Sequence, residues 1–201
     1  MKIAIIGAGN IGGNLAKGFV KAGHTIYLGV RNINDQKVQD LISKKISAHS
    51  ISEAVAKANV IITAAYPQDT KEIASKFGDV SKKVIIDAMN TFRGKPESFN
   101  TTAEALLSYT NCKDIVRCFN TTGWENIKNP KYRGVKIDMF VAGDSKKGKK
   151  IASKLAKEIG FDSVYDLGGN DSFNLMEEIV IVWVGLAKSL GRNFALKILK
   201  R

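Results

Sequence analysis

Three glycines near the start of the chain are spaced as in loops that bind a dinucleotide. They form the pattern GxGxxG between an apolar, strand-like run and a helical one. In such a loop the first glycine permits a tight turn, the second lets the backbone approach a pyrophosphate, and the third allows the helix to pack closely on the strand. Free N–H groups at the helix start favour that pyrophosphate. The predicted pyrophosphate-binding loop consists of Gly7, Gly9, Asn10, Ile11 and Gly12.

An arginine follows the second predicted strand, where an NAD-binding protein would have a carboxylate. An acidic residue about 20 residues past the loop binds the ribose 2′-hydroxyl of NAD. Residues 27–32 contain no carboxylate and end in Arg31 and Asn32. A guanidinium forms charge-assisted hydrogen bonds with a 2′-phosphate, which a carboxylate would repel. The sequence therefore predicts NADP(H), bound by Arg31 and Asn32, with Lys37 as a weaker candidate. The alternative is that Arg31 is an ordinary surface residue.

Small, amide and aromatic side chains follow the next predicted strands. Ligands of open α/β sheets lie beyond the carboxyl ends of the strands. The candidates there are Ala64, Ala65, Tyr66, Pro67 and Asn90 for the cofactor, and Asn120, Thr121 and Trp124 for the substrate. Asn90 and Asn120 can bond the nicotinamide amide or a substrate ring edge, and Trp124 offers a flat face for stacking. The alternatives are turn-forming asparagines and a tryptophan in the core or a dimer contact.

No acid–base constellation, nucleophile–histidine pair or metal-ligand spacing is visible in the sequence. His24 precedes the second predicted strand, far from the strand ends, and His49 lies in a short third-strand region, so we expect both to be structural. In hydride transfer the cofactor performs the chemistry and the protein supplies position and electrostatics. We therefore assign no catalytic residue and no metal.

Seven apolar runs alternate with helical stretches along the chain. They cover residues 3–9, 25–30, 59–65, 83–89, 114–120, 137–143 and 163–169. Runs that are apolar on both faces are typical of strands covered by helices on both sides. The alternation predicts an α/β fold, a Rossmann-type doubly wound and mostly parallel sheet. Residues 1–169 would form this NADP-binding domain.

The segment 170–201 is predicted to be a C-terminal helical appendage, as one helix or as two with a break near Gly191. Asn174 and Glu177 have capping-box spacing. The first half is apolar on every face, which predicts burial on every side. We therefore expect the segment to pack on the Rossmann domain and against the partner in a homodimer.

Bulk composition excludes several classes of protein. The chain has 201 residues and a net charge of +12, but its lysines are scattered and no nucleic-acid-binding module is visible. No apolar run reaches the roughly 18–20 residues of a membrane span, and no signal peptide is apparent. Two cysteines without CxxC spacing suit a reducing compartment. We expect a cytoplasmic protein with no membrane or nucleic-acid partner.

As a set, the motifs resemble the deazaflavin (coenzyme F420)-dependent NADP reductase family and, more distantly, the cytosolic NADPH-oxidoreductase domain of STEAP-type metalloreductases. They are GAGNIG, LGVRN, VIITAAYP, VIIDAMN, FNTTGW, FVAGDSKKGKK and DLGG, followed by a helix with Glu177, Glu178 and Trp183. The resemblance implies a small Rossmann protein, commonly dimeric, that passes hydride between NADP(H) and a flavin-type ring. Family members that use a deazaflavin often have a histidine where this chain has Asn120, so an ordinary flavin stays open as the co-substrate.

The predicted function is that of an NADPH-dependent oxidoreductase with a flavin-type or deazaflavin-type acceptor. One alternative is a reductase of another small substrate, such as a quinone or an imine. Imine reductases resemble the N-terminal half but normally need a larger helical C-terminal domain. The other alternative is an NADP(H)-binding sensor or regulatory protein without turnover, which the lack of acid–base residues favours.

Overall fold

The structure is a computed structural model and describes residues 1–92 and 94–201. Its strands are Lys2–Ile6 (β1), Thr25–Gly29 (β2), Ile46–His49 (β3), Val60–Thr63 (β4), Val84–Asp87 (β5), Asp114–Cys118 (β6), Lys131–Tyr132 (β7), Val135–Lys136 (β8), Met139–Ala142 (β9) and Val164–Asp166 (β10). Its α-helices are Asn10–Lys21 (α1), Gln36–Gln39 (α2), Ile51–Lys57 (α3), Thr70–Ser75 (α4), Thr102–Tyr109 (α5), Trp124–Lys128 (α6), Lys146–Glu158 (α7) and Phe173–Leu190 (α8). Short 3₁₀ turns cover Pro67–Asp69 and Asn170–Ser172.

Eight strands form one sheet in the order β10-β9-β6-β5-β4-β1-β2-β3. All neighbours pair in parallel except β6 and β9, which are antiparallel. The strands β7 and β8 form a separate hairpin. The prediction of a Rossmann-type, mostly parallel sheet is therefore confirmed. The strands β2 and β3 lie on one side of β1, and β4, β5 and β6 lie on the other side. The boundary between β1 and β4 is therefore a topological switch point, where ligands of such sheets bind.

Two apolar layers cover the sheet, one on each face. On one face, Leu15 and Phe19 of α1 and Leu155 of α7 pack in the same cluster as β-strand side chains. On the other face the helices α3, α4 and α5 contribute, together with Phe173 and Met176 at the start of α8. Because both faces are covered, the central strands are buried on both sides, as their continuous apolar runs predict.

The start of α8 differs from the predicted capping box. The helix begins at Phe173, and Ser172 occupies the N-cap position without a side-chain cap bond. Asn174 therefore lies inside the helix and cannot cap it. Glu177 does not turn back to the helix start, because its carboxylate binds the guanidinium of Arg117 at 2.6 Å in the core.

The end of α8 also differs from the predicted second helix. The helix stops at Leu190, and Gly191 follows with φ of 72°, a left-handed conformation that glycine adopts easily. Residues 192–201 continue without helix. This tail is held to the body of the protein by polar contacts, among them one from Lys197 to Asp138 at 2.9 Å.

One face of α8 is exposed within the chain, so burial on every side is not achieved by this chain alone. Trp183 and Val180 are buried, whereas Ile181 and Val182 are 56% and 55% exposed. Among the described residues, no helix has both the length and the apolar content needed to cross a membrane.

Candidate functional site

The glycine loop has the backbone geometry that its spacing predicts. Gly7 has φ of +105°, and a Cβ there would collide with the carbonyl oxygen of Ala64. A Cβ on Gly12 would collide with the carbonyl oxygen of Gly7, so the turn and the helix need both glycines. By contrast, apart from its chain neighbours, no atom of the described residues lies within 4 Å of a Cβ built on Gly9, which is the N-cap of α1. The helix start therefore faces open space.

A cavity of about 550 Å³ lies beside this loop at the carboxyl ends of β1, β2 and β4. The predicted site residues that line it are Gly7, Gly9, Asn10, Ile11, Arg31, Asn32, Ala64, Ala65 and Tyr66, and Lys37 joins them. Gly12, Pro67 and Asn90 are outside this lining. The lining residues that sequence reasoning did not single out include Asp35, Ile51, Asp69, Glu72 and Ile73. These residues come from segments that are far apart in the chain, and the order of strands in the sheet brings them to one cavity.

Arg31 reaches into the cavity with a mostly exposed side chain and meets a carboxylate there. Its Nη2 atom lies 3.4 Å from Oδ2 of Asp69, and the two side chains are 63% and 23% exposed. Glu72 lines the same cavity, and its pKa is lowered chiefly by the ammonium of Lys76, 2.6 Å away, with a smaller contribution from Arg31. The predicted phosphate-binding cation therefore has an internal counter-ion.

Asn90 and Asn120, predicted at the ends of neighbouring strands, are joined by two hydrogen bonds. Asn90 Nδ2 donates to the Asn120 carbonyl oxygen at 2.8 Å, and Asn120 Nδ2 donates to Asn90 Oδ1 at 3.2 Å. Phe119 has φ of 69°, a strained conformation for a bulky residue, and it turns the chain where Asn120 begins this contact. Asn120 is fully buried, and its Oδ1 has no partner within the described parts of the chain.

The other two predicted substrate residues differ in burial. Thr121 is 3% exposed, and its hydroxyl donates to the sulfur of Met139 at 3.7 Å. Trp124 is half-buried at the first position of α6, after the N-cap Gly123. The substrate-binding roles of Asn120, Thr121 and Trp124 stay predictions.

A buried charge cluster lies beneath these strand ends, and sequence reasoning missed it. Arg117 of β6 is fully buried, 3.2 Å from Asp87 of β5 and 2.6 Å from Glu177 of α8. Its guanidinium also donates to the carbonyl oxygens of Met89 and Phe173, at 2.6 and 3.0 Å. Burial raises the pKa of Asp87, and the neighbouring guanidinium opposes that rise. The available signal was Arg117 itself, because an arginine within an apolar strand is buried and a buried charge needs a partner of opposite charge.

The cluster connects α8 to the predicted nicotinamide side of the site. Glu177 Oε2 accepts a hydrogen bond from the backbone N–H of Thr91 at 3.1 Å. Thr91 directly follows Asn90, whose side chain binds Asn120. The C-terminal helix therefore fixes the backbone at the end of β5.

Neither histidine lies at the cavity. His24 contacts Glu158 at 2.9 Å and the terminal amine of Met1 at 2.7 Å, and His49 contacts Ser47 at 2.8 Å. Within residues 1–92 and 94–201, no three or more His, Cys, Asp or Glu side chains are grouped to hold a metal ion.

The N-terminal part of the chain is similar in sequence to a described family. Residues 2–91 match the sequence model of NADP oxidoreductases described as coenzyme F420-dependent. This segment includes the glycine loop, Arg31 and Asn90.

Solved structures extend the similarity of fold to the whole chain. A putative F420-dependent NADP reductase from Arthrobacter sp. FB24 is 21% identical, with full coverage of both chains and a TM-score of 0.86. A hypothetical protein from Sinorhizobium meliloti is 24% identical over 100% of this chain and 96% of its own, with a TM-score of 0.76. An imine reductase from Streptomyces aurantiacus is 13% identical, with a TM-score of 0.72, and this chain covers only 64% of it. The similarity to the coenzyme F420-dependent NADP oxidoreductase family therefore covers residues 2–91 in sequence, and the similarity to the solved structures covers the fold of the whole chain.

Proposed function

We propose that this protein is a cytoplasmic NADP-dependent oxidoreductase that transfers hydride between NADP(H) and a flavin-type or deazaflavin-type acceptor. Residues 1–169 would form the cofactor-binding domain, and residues 170–201 would complete it and contact a second copy. The proposal is supported by the match of residues 2–91 to a family model described as NADP oxidoreductase. The cytoplasmic location is supported by two buried cysteines, both free thiols, which suit a reducing compartment.

The observation that carries the proposal is the shared cavity of the glycine loop and Arg31. The open space at Gly9 and the start of α1 suit a pyrophosphate, because backbone N–H groups and the helix dipole are directed there. Arg31 ends the second strand of the fold, and the acidic residue typical of NAD-binding proteins is missing from residues 27–32. These features together favour a dinucleotide with a 2′-phosphate.

The protein's own residues would bind and orient the cofactor. When bound, NADP(H) supplies or accepts a hydride at its nicotinamide ring. Arg31 would pair with the 2′-phosphate, and the loop would hold the pyrophosphate. The paired Asn90 and Asn120 would set the position of the chain beside the ring, and Glu177 would hold the neighbouring backbone at Thr91. Hydride transfer to a flat acceptor needs this orientation and no strong general acid.

The test is the initial rate of NADPH loss, with NADH in parallel, against a panel of acceptors. The panel contains free flavins, a deazaflavin, quinones, ferric chelates and a cyclic imine. We expect turnover with a flavin-type or deazaflavin-type ring and a preference for NADPH. Turnover with an imine or quinone alone would assign another substrate. Tight NADPH binding without turnover on any acceptor would indicate a sensor.

We also propose a homodimer through α8, and this predicts a mass in solution close to twice 21.9 kDa. Large apolar side chains repeat along one stripe of the helix at residues 175, 179, 182, 186 and 190. Val182 is 55% exposed and Leu190 is 61% exposed. Burying such a stripe against a second copy removes apolar area from water, which stabilises association. Light scattering at micromolar concentration measures the mass.

Val182→Asp should convert this dimer to a monomer, since a carboxylate would be buried in the apolar interface. Lys188→Asp, on the same helix but outside the stripe, is the control and should leave the dimer intact. A monomeric wild-type chain would contradict the dimer.

A further inference from the structure

The cavity around Arg31 is lined by more carboxylates than cations, which is unusual for a site that would bind a phosphate. Its charged lining consists of two cations, Arg31 and Lys37, and three carboxylates, Asp35, Asp69 and Glu72. A phosphate monoester carries roughly −1.5 to −2 charge at neutral pH. Each ionised carboxylate nearby therefore opposes its binding unless that carboxylate is engaged elsewhere.

Two of the three carboxylates have clear structural roles. Asp35 caps α2, because its Oδ1 accepts a hydrogen bond from the backbone N–H of Lys37 at 2.8 Å. Glu72 Oε1 accepts from the ammonium of Lys76 at 2.6 Å, one helical turn along α4. Neither carboxylate forms a described ion pair with the arginine of the cavity.

Asp69 is different from both. It occupies the N-cap position of α4, where an aspartate usually caps the helix, yet its side chain makes no cap bond. Instead its carboxylate lies 3.4 Å from Arg31 Nη2. The Asp69 side chain is 23% exposed and the Arg31 side chain 63% exposed, so the arginine is the partner with more freedom to turn toward a ligand.

We infer that Asp69 competes with the 2′-phosphate for Arg31 and thereby limits the preference of this protein for NADPH over NADH. The inference rests on the proposed function, in which this cavity holds the adenosine end of the dinucleotide. In this inference the 2′-phosphate of NADPH takes over the guanidinium contact that Asp69 makes, and the carboxylate then lies near the phosphate without its partner. NADH has no 2′-phosphate, so its binding leaves the Arg31–Asp69 pair in place.

The experiment measures dissociation constants of NADPH and NADH for four proteins: the wild type, Asp69→Asn, Arg31→Ala and the double variant. Asp69→Asn should tighten NADPH about threefold to fivefold, the upper part of the range expected of an exposed ion pair. The NADH constant should stay within about twofold. In the Arg31→Ala background, Asp69→Asn should have little effect on NADPH, since no guanidinium remains to be released.

Glu72→Gln is the matched control, because it removes a negative charge from the same cavity but from a carboxylate that Lys76 holds. It should change the ratio of the two constants less than Asp69→Asn does. An unchanged ratio in Asp69→Asn overturns the inference while leaving NADP(H) binding in place. An equal gain in the Arg31→Ala background also overturns it, because that gain would be general repulsion. A wild type that binds neither nucleotide overturns the proposed function as well.

Discussion

Arg31→Asp should weaken NADPH binding by at least about 30-fold and turn the preference of the protein toward NADH. A charge-assisted contact with a phosphate is worth on the order of 2 kcal/mol, which corresponds to that factor. The aspartate adds repulsion of the 2′-phosphate and supplies the carboxylate that binds a ribose 2′-hydroxyl. Because Arg31 is mostly exposed, the fold should tolerate the change. Titration of the variant with each nucleotide measures the effect.

The matched control is Arg133→Asp in the turn between β7 and β8. Arg133 is exposed and has φ of 47°, which aspartate tolerates, and it is absent from the lining of the cavity. The Arg133→Asp variant changes the net charge by the same amount as Arg31→Asp. If both variants lose NADPH affinity equally, overall charge controls binding and Arg31 has no specific role. An unchanged affinity in Arg31→Asp would contradict the assigned phosphate site.

Arg117→Met should lower the free energy of unfolding by on the order of 3–5 kcal/mol, since it leaves two buried carboxylates without their cation. Asp87 is fully buried and lies 3.2 Å from the guanidinium, and the Glu177 side chain is 9% exposed. Thr63 and Thr102 donate to Asp87, at 3.0 and 2.5 Å, but hydroxyl groups do not neutralise its charge. Urea unfolding followed by circular dichroism measures the loss.

Neutralising the whole cluster separates charge from packing. The triple variant Arg117→Met, Asp87→Asn and Glu177→Gln should recover much of the lost stability, because no unpaired charge remains buried. Lys147→Met is the control for an exposed pair: Lys147 lies 2.7 Å from Asp114 with 53% of its side chain exposed, and its loss should cost less than about 1 kcal/mol. If Arg117→Met also lowered the free energy of unfolding by less than about 1 kcal/mol, the cluster would not be important for stability.

Features set by local sequence were predictable, and features set by tertiary contact were not. The GxGxxG spacing and the apolar runs predicted the loop at Gly7 and the mostly parallel sheet, because turn geometry and burial pattern act over a few residues. The capping box at Asn174 was wrong because Glu177 binds a residue 60 positions away in the chain. Asp69 and Arg31 are 38 positions apart, and only the order of strands brings them together.

The candidate site also contains some features that the sequence could predict and others that depend on tertiary contacts. The place of Arg31 in the lining of the cavity could be predicted because the fold fixes its position after the second strand, and its phosphate-binding role stays a prediction. The pairing of Asn90 with Asn120 could only be expected in general terms, since it depends on the reversed backbone at Phe119. A left-handed phenylalanine has no sequence signal, because glycine, asparagine and aspartate are the residues that usually adopt this conformation.

The ion pair between Arg117 and Glu177 also has a consequence that we expect for folding during synthesis. The strands β5 and β6 leave the ribosome well before α8, and domains begin to fold as their segments emerge. Until Glu177 has been made, Arg117 has only one of its two carboxylate partners, and the apolar cover contributed by Phe173 is missing. We therefore expect the Arg117 guanidinium to stay hydrated in the nascent sheet until α8 docks and completes its burial.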